Sequence, residues 1–135
     1  MPSIDAAKVW SLNYRLLTTI ITSVVPRLTA LGLEAKELFM LAAIDEHPHP
    51  AEVADVLCMP KPTVTVYLKR LEEADFVRRE IDPGDLRRHR LTVTPAGRKV
   101  MTRGLALLSE AFSARLSRLS TAEQAQLAAL LEKLN

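Results

Sequence analysis

The sequence lacks residues on which several classes of small protein depend. Cys58 is the only cysteine, so no disulfide can form within the chain, which fits a reducing compartment. Four glycines are too few for a phosphate-binding loop in addition to ordinary turns. The motifs G-x-x-x-x-G-K, G-x-G-x-x-G, H-E-x-x-H and G-x-S-x-G are all absent. We therefore expect no enzymatic activity, no catalytic residues and no cofactor.

Long hydrophobic runs are missing as well. The first eight residues contain Asp5 and have no apolar region of the kind found in signal peptides. No apolar run approaches the roughly 18 residues that a membrane-spanning helix requires. Together with the single cysteine, these absences predict a cytoplasmic protein without a membrane partner.

Three features could carry special chemistry, and each has a simpler structural explanation. His47 and His49 alternate with prolines and have no cysteine or acidic ligand at a familiar spacing, which favours a polar loop over a metal site. Cys58 follows a short predicted helix, where we expect a buried structural thiol rather than a redox sensor. Trp10 and Tyr14 lie one turn apart on the first predicted helix, and core packing is favoured over a ligand pocket or an interface.

The residues that are present favour a single domain of packed helices. Hydrophobic residues make up 48% of the 135 residues and are mostly Leu, Ala and Val, whereas aromatic residues make up 4%. The net charge of +2 is unevenly distributed. Residues 61–103 carry 11 Lys and Arg against 6 Asp and Glu, a net charge of +5, and the rest of the chain carries −3. This asymmetry indicates a polyanionic partner that contacts one segment.

Hydrophobic periodicity predicts six helices and one hairpin. The predicted helices cover residues 5–28, 34–45, 51–58, 63–73, 95–119 and a last segment after residue 120. Alternating apolar residues near Ile81 and Leu91 predict two strands, joined by a turn at 82–85 that we expect to be type II. The basic residues 87–90 are expected at the tip of this hairpin. The last helix could begin with a capping box at 121 and 124 or at 120 and 123.

This order of elements is typical of a winged helix-turn-helix, a mainly α fold with a small β-hairpin wing. A helix fits the major groove of DNA, and a basic hairpin can reach the adjacent minor groove, whose negative potential attracts arginine. The terminal helices have no role in that contact, and their leucine-rich faces require a partner. We therefore expect one domain over residues 1–135, with the winged helix-turn-helix at 34–100 and dimerisation helices at 5–30 and 105–135.

Two adjacent segments resemble the MarR family of winged helix-turn-helix transcriptional regulators. PTVTVYLKRLEEADFVRRE at 62–80 is similar to the family's recognition helix and first wing strand. DPGDLRRHRLTVTPAGRKV at 82–100 is similar to its wing, second strand and following helix. The pair of Asp85 and Arg87 and the string LTVTPAG at 91–97 are the strongest matches.

The resemblance has two departures. Pro60 and Pro62 occupy the start of the recognition helix, where family members often carry a small hydroxyl residue, so a phosphate contact there is lost or passes to Lys61 or Thr63. Asp75 follows the recognition helix, where the family usually has glycine. Because aspartate tolerates the left-handed conformation better than most residues, we expect the turn to survive.

The resemblance implies a sequence-specific DNA-binding regulator, more often a repressor than an activator. It implies a homodimer on a pseudo-palindromic operator, and release of the DNA by a small, commonly aromatic or anionic, ligand that lodges between the dimerisation and DNA-binding regions. The residues leave one alternative open, a winged helix used only for protein–protein assembly without DNA binding. An assembly module has no need of four basic residues in succession at 87–90, which favours the first interpretation.

The expected DNA contacts form two groups. Residues at the start and on one face of the recognition helix are expected to contact bases and phosphates. In the wing, Arg87 is expected to enter the minor groove with its guanidinium ordered by Asp85, a role that this pair has in the resembling family. Tyr67 is left open between the core and a contact with the DNA backbone. The complete set of expected DNA-binding residues is Lys61, Thr63, Thr65, Lys69 and Arg70 on the helix, and Asp85, Arg87, Arg88 and Arg90 on the hairpin.

Overall fold

A computed structural model describes residues 3–135, which form six α-helices and one two-stranded antiparallel sheet. The mainly α fold with a β-hairpin is therefore confirmed. In chain order the elements are α1 (Ala6–Ala30), α2 (Ala35–Glu46), α3 (Pro50–Leu57), α4 (Lys61–Glu73), β1 (Val77–Asp82), β2 (Asp85–Val93), α5 (Pro95–Leu116) and α6 (Thr121–Leu134).

The chain divides into two compact units. One consists of Met1–Val24 and Ala106–Asn135 and is called the terminal-helix unit below. The other, Val25–Leu105, is called the winged-helix unit. Both α1 and α5 contribute residues to each unit.

The winged-helix unit has a continuous apolar core. Helix α2 buries four large side chains, and α4 buries Val64, Leu68 and Leu71, which recur at the spacing of one helical face. The sheet adds Val77, paired with Val93 across the two strands. The four side chains of α2 are Leu38, Met40, Leu41 and Ile44.

Prolines begin two helices instead of preceding them. Helix α4 starts at Lys61, two residues before the predicted Thr63, with Pro60 at the N-cap and Pro62 in the first turn. Pro50 likewise opens α3. The first N–H groups of a helix have no intrahelical acceptor, so proline removes no hydrogen bond there. The predicted start at Thr63 was therefore two residues too late.

Two non-glycine residues end helices with a positive φ. Asp75, after α4, has φ 61°, so the turn that the resembling family makes with glycine survives as expected. Cys58, after α3, has φ 52° and is exposed, which makes the prediction of a buried thiol wrong. The short helix buries Val53 and Ala54, and the residue after the helix turns away from that face.

The hairpin turn differs from the predicted type. Gly84 does not have the positive φ that the second central position of a type II turn requires. The turn is stabilised instead by Asp82, whose Oδ1 accepts the N–H of Gly84 at 2.8 Å. Strand β2 already begins at Asp85, so the basic residues 87–90 lie along this strand and not at the tip as predicted.

The start of α5 shows the structural roles of Thr94 and Gly97, two residues of the sequence LTVTPAG at 91–97. The buried Thr94 accepts the N–H of Gly97 with its hydroxyl at 3.0 Å and donates that hydroxyl to the Asp75 carbonyl at 2.6 Å. A Cβ at Gly97 would lie 2.1 Å from the Phe76 carbonyl oxygen. Only glycine therefore permits this approach of α5 to the segment between α4 and β1.

In the terminal-helix unit, α5 ends at Leu116 and not at the predicted Leu119. Helix α6 begins with the capping box of Ser120 and Glu123, one of the two predicted alternatives. Gln124, which belonged to the other alternative, donates its amide to the carbonyls of Leu116 and Leu119. It thereby provides partners for backbone groups at the end of α5.

The aromatic residues of α1 do not pack in the core as predicted. Trp10 and Tyr14 are 63% and 58% exposed and stack on each other with ring centroids 6.3 Å apart. They lie on a stretch of α1 in which residues 6–15 are all exposed.

In the described part of the chain, no single helix has the length and apolar composition of a membrane span. Helices α1 and α2 have that length and composition only when they are taken together, and the pair is sharply bent.

Candidate nucleic-acid interface

Helix α4 presents a polar surface beside its core-facing residues. Lys61, Thr65 and Lys69 are exposed and recur at intervals of four, so they follow one another along one side of the helix. Thr63, in the first turn, is half-buried. Sequence reasoning expected these four side chains on the accessible face, and the structure leaves all of them at least partly accessible.

The N-terminal end of α4 is open to an anionic ligand. Pro60 makes no side-chain cap, so the N–H groups of the first turn have no side-chain acceptor at this position. Such groups, together with the helix dipole, favour a phosphate. The hydroxyl of Thr65 donates to the Lys61 carbonyl at 3.0 Å, which leaves its methyl group and oxygen lone pairs for an external partner.

Arg70 is engaged with α2, unlike the other expected residues of α4. Its Nη1 lies 3.3 Å from Oε1 of Glu34, the N-cap residue of α2. Its guanidinium carbon lies 5.1 Å from the centroid of the Tyr67 ring, and the Tyr67 hydroxyl donates to Oε2 of Glu34 at 3.3 Å. Tyr67, which was left open between the core and a contact with the DNA backbone, thus belongs to a polar cluster between α2 and α4. Sequence reasoning missed Glu34 as the acceptor shared by Arg70 and Tyr67.

In the hairpin, Asp85 contacts Arg87 as expected from the sequence. Oδ1 of Asp85 accepts both the backbone N–H of Arg87 at 3.0 Å and its Nε at 3.3 Å. The side chain of Arg87 is 91% exposed, whereas that of Asp85 is 33% exposed. The carboxylate therefore orients a guanidinium whose remaining donors point into solvent.

The other basic residues of the hairpin have different surroundings. Arg88 Nη2 lies 3.4 Å from Oε1 of Glu52 on α3, so this arginine connects the hairpin to the helix-turn-helix. Arg90 is exposed and is paired with Glu80 in the sheet register. Of the expected hairpin residues, only Arg87 combines an oriented guanidinium with nearly full exposure.

A second connection to the hairpin involves residues that the sequence analysis assigned to a polar loop. The carbonyl of Pro48 accepts the N–H of Leu91 at 2.7 Å. The ring of His49 contacts the His89 carbonyl and the Asp82 carboxylate. These partners are separated by more than thirty residues in sequence, so no local pattern could have identified them.

Ion pairs and metal-ligating groups elsewhere do not form a further site in the described residues. Arg98, on α5, donates to both carboxylate oxygens of Asp45, at 2.6 and 3.4 Å. This hydrogen bond, followed by the attraction between the two charges, raises the pKa of Arg98. Within residues 3–135, no group of three or more His, Cys, Asp or Glu residues could hold a metal ion.

Comparison with known proteins gives matches at two levels. Residues 31–88 match the model of the MarR family, whereas the curated proteins gave no significant match to the sequence. The chain has the fold of the transcriptional regulator SlyA, with a TM-score of 0.82 at 21% identity over 93% of this chain and 90% of SlyA.

Two further structures of this fold carry ligands. The Mycobacterium tuberculosis MarR family protein Rv2887, in complex with salicylic acid, is 27% identical, with a TM-score of 0.76 over 98% of each chain. A mutant MarR from E. coli, complexed with operator DNA, is 22% identical, with a TM-score of 0.79 over 94% of this chain and 93% of MarR. Residues 31–88 are thus similar to the MarR family, and the chain shares the winged helix-turn-helix fold of these proteins over nearly its whole length.

Proposed function

We propose that this protein is a transcriptional regulator that binds a pseudo-palindromic operator as a homodimer and acts as a repressor. The observation that carries the proposal is the arrangement of Asp85 and Arg87, because it presents an ordered, exposed guanidinium beside the helix-turn-helix. The operator complex of MarR, a protein of the same fold, supports DNA as the partner.

In this proposal α4 enters the major groove. Lys61 and Thr63, in its first turn, contact phosphates, where the open N-terminal end of the helix adds to the attraction. Thr65 and Lys69 face the groove, and Arg70 contacts the backbone at the edge with donors that Glu34 does not use.

The hairpin is proposed to reach the adjacent minor groove. Arg87 inserts into this groove between the two sugar-phosphate backbones, where the negative potential is concentrated. Asp85 reduces the rotamer entropy that the arginine loses on insertion. Arg88 and Arg90 lie along the same strand and are proposed to contact phosphates on either side.

Dimerisation is proposed to involve the terminal helices at 5–30 and 105–135. On α1, Trp10 and Leu12 are more than half exposed, and on α6, Leu130 and Leu134 are 58% and 82% exposed. Most of the large exposed apolar side chains of the described chain lie on these helices, and such a concentration is typical of an interaction site. A second copy of the chain would cover it and place two α4 helices on one operator.

A small effector is proposed to control DNA binding, as the salicylic acid complex of Rv2887 suggests for this fold. Any ligand that binds the DNA-free form better than the DNA-bound form releases the operator. Titration of salicylate into the protein–DNA complex tests this part, and an unchanged affinity at saturating ligand would exclude salicylate as the effector.

Selection of bound duplexes from a random pool, followed by mobility-shift titration at low and high salt, tests DNA binding. We expect an enriched sequence with two-fold symmetry and an affinity that falls steeply with salt, because phosphate contacts release counterions. A protein that retains no duplex at low salt would contradict the proposal and favour the assembly module. A protein that binds every duplex equally would contradict sequence-specific regulation.

A further inference from the structure

The segment between α2 and α3 is attached to the hairpin through His49. Its Nδ1 lies 3.1 Å from the carbonyl oxygen of His89 on β2. Its Nε2 lies 3.4 Å from Oδ2 of Asp82 on β1. The side chains of His49 and Asp82 are only 15% and 13% exposed, so the contact between these two side chains is largely shielded from water. The imidazole therefore joins the N-cap of α3 to both strands of the hairpin.

Both partners of this imidazole are hydrogen-bond acceptors. A carbonyl oxygen and an ionised carboxylate have lone pairs but no proton to donate. A neutral imidazole carries one N–H, so either tautomer of His49 would place a nitrogen lone pair against an oxygen. Only the imidazolium, with a proton on each nitrogen, can donate to the His89 carbonyl and at the same time form an ion pair with Asp82.

The carboxylate of Asp82 is itself fixed in this position. Its Oδ1 accepts the N–H of Gly84 at 2.8 Å, which leaves Oδ2 for His49. The turn that follows leads directly to Asp85, which orients Arg87. A change at the His49 contact is therefore transmitted over three residues of tight turn to the arginine proposed to enter DNA.

The charged groups around His49 come from four elements. Two other ion pairs in this region involve Glu52 on α3, which lies 3.4 Å from Arg88 and 4.0 Å from His47. Asp82 is the carboxylate within ion-pair distance of His49. The titratable and charged groups of the surrounding elements are Asp45, Glu46 and His47 at the end of α2, Glu52 on α3, Glu80 and Asp82 on β1, and Arg88, His89 and Arg90 on β2.

We propose that His49 is a positioning residue for the hairpin, and that its protonation holds the hairpin against the N-terminus of α3. The inference rests on the proposed DNA binding for its functional consequence only. Histidine changes charge between about pH 5 and pH 8, so the hairpin is most ordered at the acidic end of this range. DNA affinity accordingly falls as pH rises.

The order of the hairpin in the free protein tests the device without DNA. Backbone ¹⁵N relaxation of Gly84 and Arg87 should give order parameters near 0.85 at about pH 6 and values approaching 0.6 at about pH 8. In His49→Gln, whose side chain stays uncharged and has both N–H donors on one nitrogen instead of on two sides of a ring, we expect the lower values at both pH values. Equal order in the wild type at both pH values would overturn the proposal, whether or not the protein binds DNA.

The same variants are then compared on a duplex selected by the wild type. We expect wild-type affinity to be about threefold to tenfold higher at pH 6 than at pH 8, the range of one typical intramolecular hydrogen bond, and the change to vanish in His49→Gln. His89→Gln is the matched control, because it removes another histidine from the hairpin and keeps the backbone carbonyl that His49 uses. If the pH dependence of DNA affinity were lost in His89→Gln and kept in His49→Gln, it would come from attraction between a charged His89 and DNA, and the proposal for His49 would be refuted.

A second variant covers the case in which His49→Gln does not fold. Asp82→Asn keeps an oxygen that can accept the N–H of Gly84 but removes the negative charge next to His49. It should reduce the pH dependence of hairpin order and of DNA affinity. If Asp82→Asn retained the full pH dependence of both measurements, the positioning role of His49 would be refuted. Absence of binding to any duplex, with pH-dependent hairpin order intact, would instead refute the proposed function and leave the His49 contact established.

Discussion

The two units of this protein bury their apolar side chains to very different extents. The winged-helix unit contains 16 of the 19 buried hydrophobic residues in the described chain, and the terminal-helix unit contains only Ile20, Val24 and Leu107. Helix α6 buries no residue at all. The winged-helix unit therefore has the core of an independent domain, whereas the terminal helices have apolar faces without a core to pack against.

The same amino acid illustrates the difference. Leu68, on α4, is 1% exposed, and Leu134, on α6, is 82% exposed. Both belong to amphipathic helices, so hydrophobic periodicity alone does not distinguish them. What distinguishes them is whether a single chain provides the surface that covers the leucine. The comparison predicts that changes in one unit act on folding of the chain and changes in the other act on its association.

Removal of residues 120–135 should have the largest effect. Without α6, we expect the protein to be monomeric in light scattering and to lose about 10²- to 10⁴-fold in operator affinity, because two half-sites can no longer be engaged together. Far-UV circular dichroism and a cooperative thermal transition serve as controls that the winged-helix unit remains folded. A truncated protein that is still dimeric would show that α6 is not needed for the interface.

Leucine truncations in each unit test the comparison directly. Leu68→Ala should lower the free energy of unfolding by about 2–5 kcal/mol at every protein concentration, because it leaves a cavity in a complete core. Leu130→Ala should cost less, and its effect should depend on protein concentration, because stability gained by association follows mass action. Urea unfolding at two concentrations a hundredfold apart provides the measurement. If neither variant responded to concentration, the proposed division between the units would be wrong.

The hairpin provides a test that depends on sign. Arg87→Ala should weaken operator binding about tenfold and reduce the salt dependence by about one ion, and Arg90→Ala should do less on both counts. Asp85→Ala should also weaken binding, because it removes the acceptor that orients Arg87. Simple electrostatics predicts tighter binding when a negative charge near DNA is removed. Mobility-shift titrations of the three variants provide the measurement. If Asp85→Ala bound more tightly than the wild type, the orienting role of Asp85 would be refuted, and the basic residues of β2 would act only through their charge.

Local patterns in the sequence were sufficient for the helices and for part of the site. The spacing of Val64, Leu68 and Leu71 identified the inner face of α4 and therefore its outer face. Asp85 and Arg87 could be paired because they are two residues apart. The turn at Asp75, by contrast, was expected from the resemblance to a family that usually has glycine there, and its positive φ confirms that expectation.

Contacts between distant residues could not be predicted in the same way. The exposure of Trp10 and Tyr14 depends on which surfaces one chain can cover, and their helical spacing is the same in a core and at an interface. The engagement of Arg70 with Glu34 and of His49 with Asp82 depends on the tertiary arrangement of separate elements. The sequence therefore indicated which residues face outward on one helix, but it did not indicate which residues of other elements they contact.

The smallest expected effect concerns the start of α6, where local structure forms without a buried core. Glu123 accepts the backbone N–H of Ser120 at 2.9 Å, and this hydrogen bond, followed by the one with the Ser120 side chain, lowers the pKa of Glu123. Because the pKa is lower in the folded state than the usual value of about 4.3, the stabilisation is fully present above that value and is lost as pH falls through the folded pKa.

Glu123→Gln should therefore lower the melting temperature slightly at pH 7, and its difference from the wild type should shrink at about pH 3. Glu132→Gln, in the last turn of the same helix, is the matched control: it removes one negative charge where the helix dipole disfavours it, so its effect at pH 7 should have the opposite sign. Thermal scans of the three proteins at one fixed concentration separate these cases, and a Glu123→Gln difference that is unchanged on acidification would show that the cap does not depend on the charge.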